Sequence, residues 1–110
     1  MADPAQILFL LLAAHAVADF PLQPAEMATA KRPGGHATIS WPMALGCHSL
    51  IHGGAVAVVT GIWWLGVCET LMHAAIDGAK CRGCFGMKTD QALHLFCKVM
   101  WAFTAWQAPL

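Results

Sequence analysis

The chain has 110 residues, of which 58% are hydrophobic and 11% charged, less than half the roughly 25% charge share of an ordinary soluble domain. Six basic and six acidic residues cancel, which excludes the basic footprint that binding a phosphate backbone requires, so no nucleic-acid partner is expected. The length allows one domain, residues 1–110, and twelve charges (six of each sign) are too few to cover a soluble exterior of that size.

The first predicted helix covers about 4–19. Asp3 caps it, Pro4 suits its first turn, and Phe20 before Pro21 ends it. Its apolar stretch Ile7 to Ala14 lacks the basic start of a signal peptide, since Asp3 is the one charge before it, and is read as part of the mature protein. Residues 20–41 form a long Pro- and Gly-rich loop that carries Lys31 and Arg32, with a short helical turn near 25–30.

A second helix is predicted over about 42–65, with Gly53 and Gly54 as a place where another helix can approach. No Asp, Glu, Lys or Arg occurs from Pro33 to Cys68, more than the roughly 20 apolar residues that cross a bilayer. Gly66 and Glu69 suggest a tight connection, followed by a third helix over about 68–80 and the loop CRGCFGMK. A fourth helix follows over about 89–107, capped by Thr89 and stopped before Pro109. The expected fold is all-α: an up-and-down four-helix bundle embedded in a membrane. Trp41, Trp63, Trp64, Trp101 and Trp106 fall near its helix ends as interfacial anchors. The first and third helices are short for a span, so tilt, local thinning or association into a homo-oligomer would have to cover them. Five cysteines, an odd number, fit a reducing compartment better than a disulfide scaffold.

Each helix carries one pair of metal-ligand side chains four residues apart: His15 and Asp19, His48 and His52, His73 and Asp77, Asp90 and His94. That spacing places both members of a pair on one helix face. The pairs close the first and third helices and open the second and fourth, so an up-and-down topology gathers all eight at one end. Three Asp residues in so apolar a chain need partners, and two divalent cations would neutralise them. Nitrogen and carboxylate donors suit zinc first, with manganese, iron or nickel also compatible. Eight ligands over two ions leave positions open for water, the mark of a catalytic centre.

Beside these ligands, Lys80 is a candidate for contacting a substrate phosphate, or else favours its helix dipole. Gln23 could orient Asp19 or bind a ligand, or else anchor its loop. Gln91 is read as supporting rather than ligating, Lys98 as a snorkelling lysine, Cys81 and Cys84 as free thiols, and His36 as solvated. Lys31, Arg32, Lys80, Arg82 and Lys88 all lie at the ligand end. By the positive-inside tendency that end faces the cytoplasm, with both termini and Glu69 on the other side.

The segments HAVADFPLQ at 15–23, HSLIH at 48–52, HAAIDGAK at 73–80 and DQALH at 90–94 resemble the family catalogued as domain of unknown function 3307. The resemblance spans nearly the whole chain and implies a small membrane-associated protein of a bacterium or phage, hence the bacterial inner membrane. The loop from Lys31 to Pro42 and the CRGC insert depart from that family's leaner pattern. The helical His and Asp pairs are also similar, more loosely, to membrane-bound metal-dependent hydrolases and to all-helical zinc phospholipases of the C type. That similarity implies a dinuclear or trinuclear zinc centre acting on phosphoesters. The expected function is therefore a membrane metal-dependent hydrolase acting on a phosphoester or lipid head group. The alternatives are a non-enzymatic membrane accessory protein with a structural metal site, and a proton or ion relay.

Overall fold

The computed structural model describes residues 2–108. It contains five helices: α1 (Pro4–Asp19), α2 (Ala25–Ala30), α3 (Trp41–Thr60), α4 (Trp63–Cys81) and α5 (Met87–Gln107). No strand occurs among the described residues. The first cap forms as its sequence predicts, with the Asp3 side chain accepting from the Gln6 amide at 2.8 Å. The Ser40 hydroxyl does the same for α3, accepting from the Met43 amide at 3.4 Å.

Two boundaries differ from the sequence expectation. The second long helix stops at Thr60 rather than near 65, because Gly61 takes the left-handed conformation at φ 70° and the Thr60 hydroxyl accepts from the Ile62 amide. The expected connection at Gly66 and Glu69 therefore lies inside α4. Gly66 is there for packing: its backbone meets that of Gly53 so closely that a Cβ on Gly66 would lie 2.6 Å from the Gly53 carbonyl oxygen. The last helix starts at Met87, which puts Thr89 in its first turn rather than at its cap. Pro109, its expected stop, lies outside the described residues.

The four long helices pack in a ring, α1 against α3 and α5, and α4 against the same two, while α2 rests on α3. Their inward stripes step by four residues, the repeat that keeps side chains on one face. Along α1 the buried stripe reads Ile7, Leu11, His15, and Asp19 continues it. Along α4 it reads Leu65, Glu69, His73, Asp77, and along α5 Asp90, His94, Lys98, Ala102. Away from the histidines each stripe turns apolar, at once in α1 (Leu11) and α3 (Val56) and one turn later, beyond Glu69 and Lys98, in α4 and α5. One half of the interior is thus an apolar cluster of Ile7, Leu11, Val56, Leu65 and Ala102, and the other half is polar. Outward faces show the reverse chemistry, with Phe9, Leu50, Val58, Leu71, Phe96 and Phe103 all exposed. Among the described residues α3 is the one helix long and apolar enough to cross a membrane, and α1 is apolar but shorter.

Candidate metal centre

The ring packing brings the five predicted histidines into one cluster. His52 stacks on His73 with ring centroids 3.8 Å apart, His73 lies 4.2 Å from His94, His48 lies 4.7 Å from His52, and His15 lies 5.0 Å from His52. Asp19, at the end of α1, is the carboxylate at their centre. Its Oδ1 is 2.8 Å from His52 Nε2 and 3.3 Å from His48 Nε2, and its Oδ2 is 3.2 Å from His15 Nε2. Asp19, His48, His52 and His73 each offer a donor atom within 4.8 Å of the others, a group that could hold a metal ion.

The other two paired aspartates, Asp77 and Asp90, lie beside the cluster and are almost fully buried. Asp77 Oδ2 accepts from Lys31 Nζ at 2.6 Å, its Oδ1 lies 3.1 Å from Lys80 Nζ, and the nearest imidazole nitrogens, on His48 and His73, are 3.8 and 3.9 Å away. Asp90 faces His94 Nε2 at 3.2 Å and accepts from the Gln91 amide at 3.0 Å. Gln91 also donates to Asp19 at 3.3 Å, and its carbonyl lies 3.1 Å from His15 Nε2. Gln23 donates to the Asp19 backbone carbonyl at 3.0 Å. The His36 ring stays in its loop, where Nδ1 accepts from the Thr38 and Ile39 amides.

The donors fit a cation. Among the described residues neither ring nitrogen of His73 has a hydrogen-bond partner, and Nδ1 of His15, His48 and His94 has none either. A buried polar atom left unpaired costs about 1–3 kcal/mol, and no choice of tautomer satisfies His73. Charge points the same way. Glu69, Asp77 and Asp90 pair with the three ammonium groups of Lys31, Lys80 and Lys98, so Asp19 leaves one unit of negative charge when the imidazoles are neutral. Nitrogen and carboxylate oxygen together form a donor set that first-row divalent ions accept.

Three charged residues lie elsewhere than the sequence suggests. Lys31, expected in a surface loop, is 4% exposed, because α2 folds the loop back over α3 and turns its side chain onto Asp77. Glu69, expected outside on a turn, is 0% exposed, and Lys98, expected to snorkel, is 1% exposed and bonded to it. The spacing did carry a signal for both. Glu69 stands four residues before His73 and Lys98 four after His94, so each extends a ligand stripe by one turn. Trp101 is likewise no surface anchor, since its ring N–H donates to Glu69 at 2.7 Å. The Trp41 ring lies under the Arg82 guanidinium at 4.7 Å.

A cavity of about 320 Å³ opens onto the cluster, lined by Asp19, Gln23, Lys31, His73, Lys80 and Asp90 among others. A second cavity of about 530 Å³ shares Gln23, Lys31 and Lys80 with it and adds Arg32. Lys80 Nζ lies between two carboxylates, 3.1 Å from Asp77 and 3.9 Å from Asp90. Cys81 and Cys84 are free thiols.

No curated protein and no solved structure matches the chain. The model of one family does match, over residues 7–109, a range that contains all four ligand pairs. By that match the chain belongs to the family described as protein of unknown function, DUF3307.

Proposed function

We propose that this protein is a membrane-embedded, metal-dependent hydrolase of phosphoesters, built as an up-and-down bundle of four long helices with its centre at one end. The observation that carries the reading is the convergence of five imidazoles on Asp19 beside a cavity that Asp19, His73 and His94 line together with Lys31 and Lys80. Asp19, His48, His52 and His73 would hold the ion, zinc first by the nature of its donors. The ion's contribution is Lewis acidity, toward an attacking water and toward a phosphoryl oxygen. One divalent cation converts the site's single excess negative charge into a single positive one, so one ion suffices and a second would need added anions.

Lys31 and Lys80 would bind the non-bridging oxygens of a phosphate, a role for which two ammonium groups on one wall are suited. The Asp90 and His94 pair on the facing helix would accept the proton released by the attacking water. Gln91, between Asp19 and Asp90, keeps the two carboxylates in register.

The inverted distribution of polarity supports the membrane setting: histidines, carboxylates and lysines inside, Phe9, Leu50, Val58 and Phe103 outside. Trp41 and Arg82 mark the rim at one membrane surface, and the basic residues gathered there direct the cavity to the cytoplasm. A relay through the membrane is disfavoured by the apolar cluster of Leu11, Val56, Leu65 and Ala102, which closes the other half of the interior.

The test is elemental mass spectrometry of detergent-purified protein beside a His73→Ala, Asp77→Ala double variant, followed by hydrolysis of aryl phosphate mono- and diesters. One zinc or manganese ion per chain, lost in the variant together with turnover, is the expected result. Bound metal without turnover of any ester leaves the structural-site reading. No metal, even after reconstitution, overturns the proposal.

A further inference from the structure

One helical turn below the histidines, Glu69 of α4 is gripped by α5 through both oxygens. Lys98 Nζ donates to Oε1, and the Trp101 ring N–H donates to Oε2 at 2.7 Å. Both charged side chains are almost fully buried. A buried ion pair is a poor source of stability, because the loss of hydration offsets the attraction, and apolar side chains of similar volume usually do as well. Its neighbour suggests another role. Glu69 Oε1 lies 3.7 Å from Nδ1 of His73, and the opposite edge of that ring, Nε2, lies with His48 Nε2 on the side of Asp77.

A histidine that gives Nε2 to a metal must carry its proton on Nδ1, and metal-bound imidazoles nearly always hand that proton to a carboxylate or carbonyl. The group facing His73 Nδ1 is Glu69. A ring rotation moving Nδ1 by less than about 1 Å brings the pair to hydrogen-bond distance. We infer that Glu69, fixed by Lys98 and Trp101, is a positioning residue that accepts the Nδ1 proton of His73 and leaves Nε2 as the free donor to a metal. The inference rests on the reading of the cluster as a metal centre. Lys98 and Trp101 each hold one oxygen of the carboxylate and keep it from swinging away. Glu69, His73 and His94 could also be taken for a second cation site, but the Lys98 ammonium already occupies the carboxylate.

The experiment uses the full chain in detergent micelles. Zinc is titrated in competition with a chromophoric chelator, and the tautomer of His73 is read by long-range ¹H–¹⁵N correlation on ¹⁵N-histidine-labelled protein. Glu69→Met with Lys98→Met removes both charges together, so that neither is left buried alone. Glu69→Gln with Lys98→Met restores an uncharged acceptor. In the zinc-loaded wild type His73 is expected to be protonated on Nδ1. The Met pair should weaken zinc binding by about 10- to 100-fold, and the Gln pair should recover part of that loss. A His73 bound through Nδ1, zinc affinity unchanged in a folded Met pair, or a second zinc per chain that disappears with Glu69 would each overturn the inference. The wild-type tautomer decides the matter even where a variant fails to fold. A wild type that takes up no zinc overturns the metal centre itself, and is seen at the first step.

Discussion

Two adjacent glycines in α3 allow the closest helix contact to be tested against its own control. A Cβ on Gly54 would meet nothing within 4 Å, whereas a Cβ on Gly53 would lie 2.5 Å from the Gly66 carbonyl oxygen and on top of the Thr70 hydroxyl. Both Gly→Ala changes bring the same helix-propensity gain, about 0.5–1 kcal/mol. At Gly54 that gain stands alone, and the variant should be stabilised by this amount. At Gly53 the Thr70 side chain must rotate and give up its bond to the Gly66 carbonyl, now 2.9 Å. The α4 backbone must also retreat by about half an ångström or more, since overpacking against backbone cannot be relieved by a rotamer change, and this costs about 1–3 kcal/mol.

The two variants should therefore differ by about 2–3 kcal/mol, roughly 30- to 150-fold in the unfolding equilibrium. Unfolding in detergent followed by circular dichroism measures the difference. The displacement also reaches the candidate centre, because His52, next to Gly53, stacks on His73 across the same seam at 3.8 Å. Zinc affinity should fall in Gly53→Ala and stay unchanged in Gly54→Ala. A Gly53→Ala protein as stable as Gly54→Ala would refute the argument that these two backbones set the α3 and α4 spacing.

Leu11 is fully buried in the apolar half, so Leu11→Ala should cost about 2–5 kcal/mol in the same unfolding assay, with zinc still bound once the protein is folded. Lys31→Met removes a charge-assisted hydrogen bond worth about 1.5–3 kcal/mol. If that ammonium also holds a phosphate, KM for an aryl phosphate should rise about tenfold or more while the metal content stays constant. Cys81 is half-buried and its thiol donates to the Asp77 carboxylate, 3.8 Å from its sulfur. Iodoacetamide at pH 8 should therefore modify Cys81 more slowly than the exposed Cys84, as peptide mapping would show. Equal rates would mean that the Asp77 side of Cys81 is solvated.

The sequence alone determined the helices and the histidine cluster, because both depend on short-range regularities. Asp3 starts the first helix through a bond to Gln6, three positions on, and Pro4 through its fixed φ. Ligands four apart must share a helix face whatever the tertiary arrangement, and alternating helix directions, with pairs that close α1 and α4 and open α3 and α5, bring those faces to one end. What only the tertiary structure decided were the partners across helices. Lys31 meets Asp77 over 46 residues of chain and Lys98 meets Glu69 over 29, and nothing in local spacing says which buried charge will face which. Gly66 shows the same limit from the opposite side. In sequence it reads as a break, and only the backbone of Gly53 lying against it makes it a packing residue, since a glycine's missing side chain has meaning only once the neighbour that fills the space is known.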